Sequence, residues 1–149
     1  MFIVVIIVAF IALQFFQPEK NNQAIDNNHI FSSTDIPAPI QEILKSACLD
    51  CHSNQTRYPW YDRISPVSWY VTNHIEEGKE ELNFSEWKRL SAIDKISLLN
   101  KICEETEEKK MPLKNYTAMH KSAKLTDKQI AELCNWAESY GMKIFKANL

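Results

Sequence analysis

The chain has 149 residues, enough for one small domain whose core would be marginal unless something else filled it. Its formal net charge of −2, with no basic stripe, excludes a nucleic-acid-binding role carried by electrostatics. Only two glycines occur, and no stretch alternates apolar and polar residues in the manner of a strand, so the expected fold class is all-α.

The first 16 residues, MFIVVIIVAFIALQFF, carry a single polar side chain, Gln14. A spanning helix wants roughly 20 apolar residues, so this one is short. It has neither the basic flank nor the A-x-A site of a cleaved leader, although a few basic residues are expected ahead of it. Residues 1–17 are therefore expected to be an uncleaved signal anchor or transmembrane segment. Residues 18–34, PEKNNQ and onward, are polar and rich in Asn, which predicts a linker with His29 solvated within it. The folded domain is then expected over residues 35–149.

Within that domain, Asp35-Ile36-Pro37 opens a helix whose Ile40, Ile43, Leu44 and Ala47 form an i, i+3, i+4, i+7 stripe ending at Cys48. An aromatic loop, Arg57 to Asp62, follows. Ser65-Pro66 predicts a cap with proline in the first turn of a second helix, with Val67, Val71, His74, Ile75 and Gly78 on one face. Asn83 and Glu86 have capping-box spacing ahead of a short helix through Trp87 and Leu90. Ser91 with Asp94 predicts the start of a fourth helix, facing inward with Ile96, Leu99, Ile102 and Cys103. Thr126 with Gln129 does the same for the last, with Ile130, Leu133, Cys134 and Ala137 inward and Gly141 as its stop. Cys103 and Cys134 thus read as buried small hydrophobes, with a disulfide as the alternative in an oxidising compartment.

The stretch Cys48-Leu49-Asp50-Cys51-His52 carries the chemistry. C-x-x-C-H is the attachment signature of c-type haem, because two thiols so spaced on a helical turn reach the two vinyl groups of one porphyrin while the adjacent imidazole ligates the iron. A structural zinc site would need a second closely spaced pair of Cys or His, and none exists. A thioredoxin-like dithiol would need alternating strands and helices, which are absent. His52 is then the proximal ligand, and an electron carrier commonly adds a Met on the other side of the iron. Met111 is the candidate. Pro112 prevents it from continuing a helix, so its thioether stands on a stiffened segment able to reach across a gap. His74, on the apolar face of the second helix, is the alternative sixth ligand. Met119 and His120 are expected at the surface or in packing. Trp60, Trp69, Trp87 and Trp136 are candidates for the core or for packing on the porphyrin.

The order of helix, CxxCH, intervening helices, Met-Pro loop and capped terminal helix is similar in layout to class I cytochromes c. The run from Tyr58 to Trp87, with CxxCH ahead of it and MPLKNYTAMHKSAKLT behind, resembles a bacterial haem-binding-domain family of small membrane-anchored proteins, whose pattern includes W-x-x-x-x-H-x-x-x-G and N-F-S-x-W. The resemblance implies Cys48 and Cys51 as attachment sites, His52 as proximal ligand and the Met-Pro pair as the distal region. It leaves open what the haem is used for. The expected protein is a membrane-tethered monohaem cytochrome with covalent haem c, on the periplasmic side of a bacterial inner membrane. It would pass single electrons between partner proteins and be a carrier before an enzyme. The acidic cluster Glu104, Glu105, Glu107 and Glu108 reads as a solvated helix end that could receive a basic partner. A haem sensor or peroxidase-like enzyme with an open sixth position, and a zinc-stabilised interaction domain, are the alternatives.

Overall fold

Apolar periodicity and capping residues place most of the helices. In the computed structural model, which describes residues 1–149, the elements are α1 (Phe2–Leu13), α2 (Ile30–Ser33), α3 (Ala38–Ala47), α4 (Leu49–His52), α5 (Val67–Glu81), α6 (Ala92–Glu107), α7 (Lys114–Met119) and α8 (Asp127–Ala147). Three 3₁₀ turns, Trp60–Arg63, Phe84–Arg89 and Lys121–Ala123, complete them. The expected all-α class holds: the chain contains no strand, only an isolated bridge between Asn22 and Gln55.

The stripe of α3 is buried as its spacing requires, with Ile40, Ile43, Leu44 and Ala47 all inside. It packs with Phe84 and Trp87 from the 3₁₀ turn, Leu99 and Ile102 from α6, and Leu133 and Ala137 from α8. Ser91 Oγ accepts the Asp94 amide at 3.1 Å, and Thr126 with Gln129 forms a complete capping box. A disulfide joins Cys103 of α6 to Cys134 of α8, with Cα atoms 5.0 Å apart, so these half-buried cysteines are the bridged alternative and not two free small hydrophobes.

Five expectations need correction. First, α1 is a 12-residue helix, and no helix here is long and apolar enough to cross a membrane. At 1.5 Å per residue it reaches about 18 Å, against a hydrocarbon core of about 30 Å. Second, His29 is fully buried rather than solvated, and residues 18–34 lie against the domain. Asn21 donates its amide to the Tyr58 hydroxyl at 2.7 Å, Gln23 to the Asn54 carbonyl at 2.7 Å, and Lys88 to the Asn28 carbonyl at 2.9 Å. Ile30 enters the core beside them. A polar stretch can thus dock through its backbone, a possibility that side-chain composition does not register.

Third, Ser65 does not cap α5. Its amide donates to Gln14 Oε1 at 3.0 Å and its hydroxyl accepts from Gln17 Nε2 at 2.8 Å, so a long-range contact takes the groups a cap would use. The Asn83 side chain does cap its element, but by accepting from the Ser85 amide at 3.0 Å rather than in a box with Glu86, and the element is a 3₁₀ turn instead of an α-helix. Fourth, Gly141 does not stop α8, which continues to Ala147 with Gly141 buried inside it. Fifth, of the four tryptophans only Trp87 is a core residue; Trp136 packs at its margin, and Trp60 and Trp69 are exposed.

Candidate functional site: the CxxCH cleft

The stripe of α3 delivers Cys48 to the end of that helix, and the single turn of α4 then presents Cys51 and His52. Both Cys48 and Cys51 are free thiols. Burial raises their pKa values, Cys48 to about 12 and Cys51 to about 11, the neighbouring Asp50 charge adding to the second. The ligand atoms of Cys48, Cys51 and His52 do not gather into one metal-binding cluster.

His52 is held by α5. Its Nδ1 lies 2.7 Å from the Gly78 carbonyl and 3.1 Å from the Leu82 carbonyl. Carbonyls only accept, so Nδ1 carries the proton and Nε2 keeps a free lone pair, the tautomer a metal-ligating histidine needs. Burial lowers the pKa of the ring, against the opposing effect of those two carbonyls, so it stays neutral. The approach of α5 to the motif depends on Gly78: a Cβ there would lie 2.9 Å from the Cys51 carbonyl oxygen.

Two adjoining cavities open at His52. One, of about 330 Å³, is lined by Cys48, His52, Leu82, Phe84, Ile102 and Met111 among others. The other, of about 450 Å³, includes Cys51, His52, His74, Gly78, Met111 and Tyr116. His52 and Met111 border both, so they stand at the waist of one cleft that has a cysteine in each half. Met111 is fixed there by the end of α6: Lys109 turns the chain at a φ of 56°, and the amides of Lys110 and Met111 both donate to the Glu105 carbonyl at 3.0 Å. His74 lines only the half that holds Cys51, and its Nδ1 lies 3.2 Å from Glu77 Oε2. Met119 is exposed and His120 bonds the Tyr61 hydroxyl at 2.8 Å, so neither joins the cleft.

The cleft and its residues fit a haem. They offer two unbridged thiols, an imidazole with its outer nitrogen committed, and a thioether in a largely apolar space. A family profile described as haem-binding domain matches residues 8–139. The chain belongs to that family. No curated protein and no solved structure matches it.

Asp50, between the two cysteines, organises the outer side of the motif in this haem-binding domain. It accepts from Arg57 Nε at 2.9 Å and from the Tyr116 hydroxyl at 2.7 Å, while Arg57 also donates to the Lys45 carbonyl at 2.7 Å. Burial and the Asp50 carboxylate raise the pKa of Tyr116, so it remains a donor. This network ties α7, which follows Met111, to the CxxCH turn. Its only sequence signal is an acid between the two cysteines of an otherwise buried turn, which does not name its partners.

Proposed function

We propose that this haem-binding domain is a monohaem c-type cytochrome laid out like class I cytochromes c. In this reading Cys48 and Cys51 would hold the haem through thioether bonds, and His52 Nε2 and Met111 Sδ would ligate its iron. Bound haem supplies reversible one-electron chemistry at iron. The chain's own contribution is position and dielectric. The Gly78 and Leu82 carbonyls orient His52, Leu82, Phe84 and Ile102 keep water from one half of the cleft, and the neutral thioether favours ferrous iron. The observation that carries the reading is that His52 and Met111, distant in sequence, border the same two cavities.

The working place in this proposal is the periplasmic face of a bacterial inner membrane, with the wholly apolar α1, none of whose residues is buried, as the membrane contact. The partners are redox proteins. Glu77 and Glu80 line the cleft, where Glu81 is paired with Lys101, and the exposed acids at the end of α6 lie nearby in sequence to its Glu105 wall, a partly acidic rim for a basic partner.

The visible spectrum of haem-loaded protein tests this. Haem should stay with the polypeptide in acidified organic solvent, and the ferric form should be low-spin with the weak long-wavelength sulfur-to-iron band. Met111→Ala should remove that band and lower the potential. High-spin iron that binds carbon monoxide readily in the unmutated protein would instead support a sensor or peroxidase-like role. Low-spin iron lost on His74→Ala but not on Met111→Ala would move the sixth ligand to His74.

A further inference from the structure

We propose that residues 58–70, with Phe15 and Phe16, form a second lipid-contact surface that seats the haem domain directly on the membrane. The inference rests on the membrane association proposed above and goes beyond it, because it replaces a domain swinging on a tether with one held in a fixed orientation.

The exit from α1 is pinned. Gln14 and Ser65 exchange backbone and side-chain hydrogen bonds, Gln14 Nε2 donating to the Ser65 carbonyl at 3.2 Å and the Ser65 amide returning to Gln14 Oε1 at 3.0 Å. Gln17 Nε2 reaches Ser65 Oγ at 2.8 Å, and Trp69 Nε1 donates to the Phe16 carbonyl at 2.7 Å. Whatever α1 enters, the start of α5 must accompany it.

That neighbourhood is aromatic and exposed. Trp60 is 71 % exposed, Trp69 40 % and Tyr70 51 %, with Ile64 and Val67 also at the surface and Phe15 and Phe16 continuing the patch toward α1. A contiguous apolar surface of this kind needs an occupant. Its composition matches the headgroup layer, where Trp and Tyr concentrate because the ring is apolar and one edge is polar. Charge points the same way. Arg63 is exposed, while Asp62, the one acid in residues 58–70, is buried against Lys20 Nζ at 2.6 Å. Glu19 is the exposed acid beside the patch. Continuity with α1 selects lipid over a protein partner, since α1 presents apolar side chains on every side. The haem cleft is then set at a defined height, because Gly78, which holds His52, lies along α5 from Val67 by about 16 Å at 1.5 Å per residue.

The test is photolabelling of the full-length, haem-loaded protein bound to vesicles of phosphatidylethanolamine and phosphatidylglycerol. The lipid carries a diazirine near the carbonyl end of one acyl chain, and labelled peptides are mapped by mass spectrometry. Label is expected in residues 58–70 as well as in α1, about tenfold above that on the Glu76–Glu81 region, because acyl-chain contact ends within the interfacial layer. The double substitution Trp60→Glu, Arg63→Glu, both at exposed positions, should remove label from residues 58–70 and leave α1 labelled and the haem spectrum unchanged. Label confined to α1 in the unmutated protein would overturn the proposal while leaving membrane association standing. Label persisting over residues 58–70 in the double variant would overturn it too. Failure to float with vesicles, with neither region labelled, would overturn both.

Discussion

Alanine at Gly78 should destabilise the protein, although Gly→Ala inside a helix ordinarily stabilises by up to about 1 kcal/mol. Gly78 lies within α5 and no glycine here has a positive φ, so backbone conformation does not demand it. Space does. The new Cβ would stand 2.9 Å from the Cys51 carbonyl oxygen, 3.2 Å from Cys51 Cβ and 3.3 Å from the Cys51 carbonyl carbon, and none of these is the mobile end of a side chain. Helix α5 must retreat from the CxxCH turn by several tenths of an ångström. Overpacking of this kind costs about 1–3 kcal/mol. The retreat also lengthens the 2.7 Å bond from His52 Nδ1 to the Gly78 carbonyl, worth about 1 kcal/mol, though Leu82 remains as a second acceptor. Set against the gain in helix propensity, the expected net loss is about 1–2 kcal/mol, or a Tm lower by about 3–6 °C. Gly141→Ala is the matched control: its Cβ would meet only Leu99 Cδ1, at an ordinary 3.9 Å, so there the propensity gain should survive and Tm should rise by about 2 °C. Thermal unfolding followed by far-ultraviolet circular dichroism compares the two. A Tm that rises in Gly78→Ala as it does in Gly141→Ala would refute the packing argument.

Two further outcomes follow from buried groups. Burial lowers the pKa of His29, and its Nδ1 accepts from the Phe31 amide at 3.1 Å, so the folded state prefers the neutral ring. Because the unfolded ring, near 6.5, binds protons more readily, this contribution is fully present above about pH 6.5. It is lost as pH falls toward the lower folded-state value, by up to about 1.4 kcal/mol per pH unit. Urea titrations between about pH 5 and 7 should show that slope diminished in His29→Asn, which keeps an acceptor for the cap; an unchanged slope would mean that His29 is not its source. Cys103→Ser removes a cross-link over a sequence separation of 31 residues, and chain entropy sets the cost at roughly 3–4 kcal/mol. Denaturation of the unmutated protein should become reductant-sensitive and that of the variant should not, whereas two alkylated thiols at Cys103 and Cys134 without reduction would exclude the bridge.

The sequence by itself determined the features that are written locally. The stripe Ile40, Ile43, Leu44 and Ala47 is a period of 3.6 residues, and the caps at Ser91 and Thr126 are contacts across three residues, so each needs only its own segment to be read. The CxxCH motif is likewise local, since both thiols and the imidazole must serve one group from one turn. What the tertiary structure decided are partnerships between segments far apart in the chain. Gln14 takes the amide of Ser65 and Gln17 its hydroxyl, Asn54 takes the amide of Gln23, and the carbonyl of Gly78 settles which nitrogen of His52 is free. His29 and the polar residues around it gave no periodic signal because they are held mainly through backbone groups, which every residue carries and no composition distinguishes. Met111 needed both levels. Pro112 marked it in the sequence as lying outside a helix, but only the tertiary structure, which sets the end of α6 across the cleft from the CxxCH turn, brings its side chain to the cavities that His52 borders.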